Sequence, residues 1–295
     1  MSLQLNQKMV RDALSSATNQ LPALPTVLVR ILQLTEDSNS GSIGEIEGLI
    51  KSDQAISSRL LRIVNSAYFG LGGKVGSVSQ AVVILGFQQV RNLVLSTSLM
   101  SSFDSGGEAA KESQAKLWQH AFATASAAQL LGRRQKISAK DNELVFVGGL
   151  LQNIGSLFIL SVLSRTYAAL VNEAYNTGQW VVDIENERLG LNHAEIGAEI
   201  LSKWELPADL VNLIGAHEGP FTEELDPTVA MIHVADRIGD LVQRGQEFNF
   251  EALHLNENAV AALGLSTEDL EKLFSDTKEK VEAALEMLAA ANEAA

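Results

Sequence analysis

The feature that most constrains this chain is a run of 21 uncharged residues, Leu144–Ser164. By length alone, such a run could cross a lipid bilayer. Its apolar surface is interrupted by glycines and by polar side chains that include Gln152 and Asn153, and aromatic anchors do not flank both of its ends. A helix that is apolar on nearly every side is also what the centre of a large helical domain requires. The run therefore predicts a buried central helix, or a pair of helices, and no membrane span.

The helical period dominates the rest of the chain as well. Apolar residues recur three and four positions apart in segments such as Leu24–Leu34 and His193–Trp204. Helix-start signals precede several segments, since Asp53 and Ser77 are good N-cap residues and Pro227 suits a first helical turn. No strand pattern of useful length and no internal repeat stands out. The predicted fold class is all-α, a multi-helix bundle.

Composition excludes several classes of protein. The 295 residues are 46% hydrophobic and 20% charged, which is typical of a folded chain. The absence of Cys excludes disulfides, zinc-finger modules, iron–sulfur clusters and a thiol nucleophile. A net charge of −14 argues against nucleic-acid binding, which needs a basic face. Residues 1–20 lack a basic start followed by an apolar run, so no secretory signal is predicted and a cytoplasmic location is expected.

The uneven charge predicts a division of the chain. Residues 1–102 carry eight Lys and Arg against six Asp and Glu, whereas the remainder carries 14 against 30. The stretch Ser101–Gly107 has the composition of a turn or short linker. The predicted parts are an N-terminal helical subdomain (1–103), a helical subdomain packed on it (104–245) and an acidic C-terminal helical extension (246–295). The extension is interpreted as a docked amphipathic helix, with a partner-binding or dimerising helix as the alternative.

Residues able to bind metal ions or transfer protons concentrate in the second half. A lone helical His is more often structural than a ligand, so each motif is weak by itself. The motifs, in chain order, are Leu117-Trp118-Gln119-His120, Glu143–Gly155, Asn192-His193-Ala194-Glu195-Ile196-Gly197, Ala216-His217-Glu218 and His233-Val234-Ala235-Asp236.

The order and context of these motifs resemble the HD superfamily of metal-dependent phosphohydrolases. The resemblance implies that His120 stands for the first His of the metal site and Asp236 for the last Asp, with His193 and His217 as auxiliary histidines. The adjacent His-Asp pair of that superfamily is Gln152-Asn153 here. Because amides are weak ligands for a catalytic metal, hydrolysis and a cofactor are not expected. Any bound metal would rest on the three histidines and Asp236.

The N-terminal half resembles HDOD proteins, the HD-related output domain family, and the match runs from about Gln20 to His217. Five segments carry the resemblance: Leu21-Pro22-Ala23-Leu24-Pro25, Ile50–Ala55, Leu60–Gly70, Val78–Gly86 and Val90–Leu95. The family implies a non-catalytic bacterial signalling module with a degenerate HD site. It does not specify the signal or the partner.

Three hypotheses follow. The first is a catalytically inactive, regulatory signal-transduction module that acts through protein–protein contacts. The second, from the enzyme class, is a phosphohydrolase or phosphodiesterase that uses His120, His193, His217 and Asp236 around a metal. The third is a vestigial pocket that binds a nucleotide or anion without hydrolysing it.

The alternative to a retained pocket is a structural remnant, in which these side chains only satisfy one another. In that interpretation His233 supports Asp236, and His254 is a surface residue.

Overall fold

A computed structural model describes residues 7–21, 23–24, 27–31, 43–65, 75–103 and 108–293. Over those residues the chain is helical, with one 3₁₀ turn at Glu251–Leu253 and no strand, which confirms the all-α prediction. Contacts between backbone positions divide it into two compact units, considered separately below. One unit combines the described residues within 1–22 and 102–274, and the other combines those within 23–101 and 275–295. The predicted domain boundaries at residues 103 and 245 stay predictions.

The helices are numbered in chain order. They are α1 (Gln7–Thr18), α2 (Ile43–Ser52), α3 (Gln54–Val64), α4 (Val78–Leu85), α5 (Phe87–Ser101), α6 (Glu108–Arg134), α7 (Ala139–Leu151), α8 (Ile154–Thr177), α9 (Val181–Arg188), α10 (His193–Lys203), α11 (Ala208–Ala216), α12 (Pro227–Gln243), α13 (Glu257–Leu263) and α14 (Thr267–Glu293). Residues 27–31 are also helical.

In the unit built from 23–101, two predicted caps are present. The carboxylate of Asp53 accepts a hydrogen bond from the Ile56 amide at 3.0 Å, and the Ser77 hydroxyl accepts one from the Gln80 amide at 3.2 Å. At the end of α3 the Asn65 amide exchanges two hydrogen bonds with the Val75 backbone, so it fastens the helix end to the start of α4. Residues 66–70 of the Leu60–Gly70 motif lie outside the described residues. Pro22 and Pro25 of the Leu21–Pro25 motif lie outside them as well.

In the larger unit, α6 packs against α7 and α12, and α8 packs against α10. The uncharged run forms a pair of helices, α7 and α8, with Gln152 and Asn153 at their junction. The segment Ala139–Thr177 is long and apolar enough to cross a membrane, but 83% of its most apolar window is buried within the structure, as in a core helix.

Close helix contacts explain two glycines of this run. A Cβ on Gly149 would lie 2.6 Å from the Cα of Ala125 in α6. A Cβ on Gly155 would lie 2.0 Å from the backbone oxygen of His193 in α10. These glycines let α7 and α8 approach their neighbours, and the second contact brings the start of α10 against the start of α8.

Both ends of the larger unit are fastened to it. The Thr18 hydroxyl of α1 donates to Glu199 at 2.6 Å, and the Lys203 ammonium group donates to Asn19 at 2.8 Å. At the other end, α14 begins at the predicted position, and Leu270 and Phe274 are buried.

Candidate functional site

A cleft of about 590 Å³, counting the space open to solvent, lies in the larger unit. Its walls come from α6, α8, α9, α10, α12 and the segments between them. Four of the predicted site residues line it: His120, Asn153, His193 and Asp236. Gln152 and His217 do not line it, although His217 contacts His193 directly. The fold therefore brings together residues that are 33 to 116 positions apart on four elements.

His120 on α6 and Asp236 on α12 form a direct ion pair. The His120 Nε2 atom lies 2.7 Å from the Asp236 Oδ1 atom, and both side chains are largely buried. Burial opposes ionisation of both groups, but the charge and hydrogen bond of each partner outweigh it. The pKa of His120 is raised and the pKa of Asp236 is lowered. The two groups that the resemblance assigns to a metal thus neutralise each other.

The junction between α7 and α8 supplies no strong metal ligand. Gln152 is fully buried, and its amide oxygen and nitrogen have no hydrogen-bond partner in the described part of the chain. Asn153 does reach the cleft, where its Oδ1 atom accepts a hydrogen bond of 3.5 Å from the Ser156 hydroxyl. An amide at the cleft and a second amide outside it replace the ligand pair of the HD superfamily.

Deeper in the unit, four residues form what we call the inner network: Tyr167, Glu185, His193 and His217. The Glu185 carboxylate accepts hydrogen bonds from the Tyr167 hydroxyl and from the His193 backbone amide. Its Oε2 atom also lies 2.7 Å from the His193 Nδ1 atom. The Nδ1 atom of His217 donates to the Ile214 carbonyl at 2.6 Å. All four side chains are buried, so the network satisfies polar groups that water cannot reach.

The two histidines of the inner network face each other through their Nε2 atoms, 3.3 Å apart. Each Nδ1 atom donates a hydrogen bond, so in two neutral rings both Nε2 atoms would carry only a lone pair. Because two lone pairs at this distance repel, one of the two Nε2 atoms must be protonated. Burial opposes protonation of His193, but the Glu185 carboxylate outweighs it and raises the pKa of His193 to about 9. Burial and the neighbouring His193 charge lower the pKa of His217 to about 3. At neutral pH, His193 is therefore the charged donor and His217 the neutral acceptor.

Five residues that line the cleft form what we call the cationic wall: Lys116, Tyr175, Trp180, Arg237 and Arg244. The Arg237 guanidinium stacks 4.0 Å from the centre of the Trp180 ring. The Lys116 ammonium lies 4.8 Å, and the Arg244 guanidinium 5.3 Å, from the centre of the Tyr175 ring. Cations on aromatic faces are attracted by the ring quadrupole. The wall therefore orients three positive charges along one side of the cleft.

A buried carboxylate, Glu218, lies between the wall and the inner network. Its Oε2 atom is 2.5 Å from the Arg237 Nη2 atom, and its Oε1 atom is 3.8 Å from the His193 Nε2 atom. Burial raises the pKa of Glu218 to about 7, against the opposing charge of Arg237.

The residues at the HD positions do not fit a catalytic metal ion, because one ligand is lost, one is an amide and two are paired with each other. A second group fits better by position: ligand atoms of His193, His217 and Glu218 lie within 4.8 Å of one another. The Nε2 atoms of the two histidines lie 3.3 Å apart, within hydrogen-bond distance of each other, and the Glu218 carboxylate is paired with Arg237.

Sequence reasoning did not single out Glu185, Tyr167, Trp180 or Arg237. Glu218 enters the sequence analysis only as the last residue of the Ala216-His217-Glu218 motif. The available signal was adjacency, since Glu218 follows His217 and Arg237 follows Asp236. His233 serves a role other than the expected one: its ring bonds the His217 carbonyl and lies near the Asn256 amide. His254 is exposed, as expected.

A sequence profile of the HDOD domain matches residues 21–220, which is more than half of the chain. The chain therefore belongs to the HDOD family, as its motifs predicted.

A curated protein is similar in sequence. An uncharacterized protein of Treponema pallidum (strain Nichols) is 28% identical in an alignment of 231 residues that covers 76% of this chain and 43% of that protein. The chain thus spans less than half the length of the curated relative it matches.

Solved structures share the fold. The HDOD domain protein of unknown function from Geobacter sulfurreducens matches with a TM-score of 0.72 and 21% identity, over 95% of this chain and 96% of that one. A candidate signal transduction protein from Marinobacter aquaeolei VT8 matches with a TM-score of 0.68 and 21% identity, over 98% and 68%. A candidate phosphohydrolase from Shewanella amazonensis SB2B matches with a TM-score of 0.62 and 24% identity, over 92% and 98%.

Proposed function

We propose that this protein is a non-catalytic, regulatory signal-transduction module of a bacterial cytoplasm, acting through contacts with protein partners. The observation that carries the proposal is the state of the HD positions. His120 and Asp236 are bound to each other at 2.7 Å, and Gln152 lies outside the cleft. A site that neutralises its own strongest ligands has little capacity to activate a water molecule on a metal.

Two comparisons support a module that works together with other segments or proteins. The matched region is 43% of the Treponema protein and 68% of the Marinobacter chain, so similar folds occur within longer chains. The Marinobacter protein is also the one named for signal transduction. A module without chemistry of its own transmits a signal by changing what it contacts.

The test combines metal analysis with a turnover assay. Protein purified without chelator is analysed for bound metals, then incubated with phosphomonoesters, phosphodiesters and nucleotides in the presence of Mg²⁺, Mn²⁺, Zn²⁺ or Fe²⁺. We expect substoichiometric metal and no more turnover than in the His120→Ala variant. Stoichiometric metal together with turnover that His120→Ala abolishes would overturn the proposal.

A second candidate function, a metal-dependent phosphohydrolase or phosphodiesterase, is favoured by one observation. The Nε2 atoms of His193 and His217 converge at 3.3 Å while both Nδ1 atoms are anchored, which is how metal-binding histidines are commonly oriented. This candidate predicts that His217→Gln removes both metal and turnover, whereas His254→Gln, at an exposed position, removes neither. Metal that stays bound in His217→Gln would count against it.

A further inference from the structure

Two N–H groups of residues that line the cleft have no acceptor. The Trp180 Nε1 atom and the Arg237 Nε atom are buried, and neither meets a hydrogen-bond partner among the described residues. Both side chains line the cleft. Indole and guanidinium nitrogens can only donate. Buried donors without partners are costly, so their presence in a cleft points to a ligand that accepts hydrogen bonds.

Arg237 stands beside the carboxylates that would face a metal ion. One of its terminal nitrogens binds Glu218, and its Nε atom lies 3.9 Å from the Asp236 Oδ2 atom without a hydrogen bond. Its guanidinium is held in place by the Trp180 ring. Because guanidinium cannot lose its proton in a protein, this is a permanent charge at the centre of the site.

We propose that the cleft is a metal-independent receptor for a small organic oxyanion, in which Arg237 and the indole N–H of Trp180 take the place of a metal ion. The inference rests on the proposed non-catalytic function and names the ligand class of the same site. The shared chemistry is a phosphate or carboxylate group attached to an apolar body. Lys116, on the same wall, adds a further charge for that group.

An anion fits better than a cation because the cleft already contains its own cations. The faces of Trp180 and Tyr175 carry Arg and Lys groups, so they are not free to stack on a cationic ligand. The carboxylates that line the cleft are each paired within the protein: Asp236 with His120, Glu218 with Arg237 and Asp240 with Arg244. The unmet bonding capacity is therefore that of donors.

Part of the cleft lining is apolar, which is why an organic ligand is expected. Leu117, Val171 and Val182 are buried side chains that line the same cleft. Inorganic phosphate would satisfy the donors but leave these walls without contact. An anionic group joined to a ring or a nucleobase would use both.

The probes separate the sources of the oxyanion. Binding to the whole protein is measured by calorimetry with phenyl phosphate, adenosine monophosphate, benzoate, inorganic phosphate and benzyl alcohol, each with and without EDTA. We expect at least one of the three organic anions to bind more tightly than inorganic phosphate, with no loss in EDTA. Preference for phenyl phosphate or the nucleotide assigns a phosphate ester, and preference for benzoate assigns a carboxylate. Benzyl alcohol should not bind.

Variants assign the binding to the named groups. Trp180→Phe keeps a ring under Arg237 but removes the N–H, and we expect an affinity about 10-fold weaker. Arg237→Met should weaken binding by about 10- to 100-fold. Arg237→Met leaves the buried Glu218 carboxylate without its partner. The double variant Glu218→Gln/Arg237→Met removes that carboxylate charge as well, so it measures the loss of Arg237 without an unpaired buried charge. Arg133→Met, which removes an exposed charge outside the cleft, should bind as the wild type does.

The outcomes distinguish a failure of the proposed anion receptor from a failure of the proposed non-catalytic function. No binding of any organic anion at 10 mM, binding that EDTA abolishes, or equal binding in wild type and Trp180→Phe would each overturn the receptor. Hydrolysis of the phosphate ester would instead overturn the non-catalytic function, because it is read from product formation and not from affinity.

Discussion

The cationic wall lines the cleft with all five of its residues and the inner network reaches it only through His193, and the polar groups of the two sets are satisfied in different ways. In the inner network, Glu185 accepts from two side chains and one backbone amide, and His217 bonds on both ring nitrogens. In the wall, cations lie over Trp180 and Tyr175, and the Trp180 nitrogen has no partner in the described structure. The first set of residues is complete without a ligand, and the second is not.

This difference separates residues that hold the fold from residues available for recognition. Buried charges that support one another are strongly coupled, so losing one partner leaves the others exposed to the low-dielectric interior. In the wall, Arg237 is buried in its pair with Glu218, whereas Lys116 is partly exposed, and a partly exposed charge exchanges one environment for another at little cost. Substitutions in the inner network are therefore expected to lower stability, whereas substitution of Lys116 in the wall is expected to weaken ligand binding with little effect on stability.

The largest expected effect comes from removing the centre of the inner network. Glu185→Ala leaves the His193 charge buried without the carboxylate that pairs with it, and it removes one of the two hydrogen-bond partners of the Tyr167 hydroxyl, the other being Ser156. We expect the free energy of unfolding to fall by about 3–5 kcal/mol. Chemical denaturation followed by tryptophan fluorescence measures this change. Tyr167→Phe is the control, since it removes one hydroxyl and should cost about 1–2 kcal/mol. A cost for Glu185→Ala no greater than for Tyr167→Phe would show that the network is not a coupled unit.

The next effect concerns the helix contact that supports the inner network. In Gly155→Ala the new Cβ would lie 2.0 Å from the His193 backbone oxygen, so α8 and α10 must separate. We expect a loss of about 1–3 kcal/mol, measured by thermal unfolding. Gly48→Ala is the matched control, because nothing lies within 4 Å of its Cβ in α2, and it should be neutral or stabilising. Equal behaviour of the two variants would contradict the close approach.

The same two regions show what the sequence could and could not predict. The all-helical fold and the caps at Asp53 and Ser77 followed from local patterns. That His120 and Asp236 belong to one site was implied by the resemblance to the HD superfamily, and the two side chains are in direct contact. Glu185 could not be found in this way, because its partner His193 is on another helix and nothing in the segment 181–188 marks a buried carboxylate. The pairing of Arg237 with Glu218 likewise depends on how α12 packs beside the end of α11, which no local spacing encodes.

A pH titration of stability provides the third test. The folded-state pKa of His193 is raised from 6.5 to about 9, so its contribution is fully present below pH 6.5 and is lost as the pH rises through about 9. We expect the free energy of unfolding to fall by about 1–2 kcal/mol between pH 7.5 and pH 9. His120, whose pKa is also raised, contributes in the same direction. His193→Gln should therefore reduce the slope without abolishing it, and a wild-type stability that is flat over this window would contradict the assignment of the charge.

The smallest expected effect on stability lies at the outer edge of the wall. Lys116 pairs with Glu112 one turn away at 2.9 Å, but Glu112 is 79% exposed, so water and salt screen the pair. Lys116→Met should change the free energy of unfolding by less than about 0.5 kcal/mol, because the aliphatic stem and its contact with Tyr175 can persist. The same variant should weaken phenyl phosphate binding by about 3- to 10-fold, since it removes one charge from the cleft. If Lys116→Met instead lowers stability and leaves the affinity unchanged, Lys116 stabilises the fold, as the residues of the inner network do, and does not contribute to ligand binding.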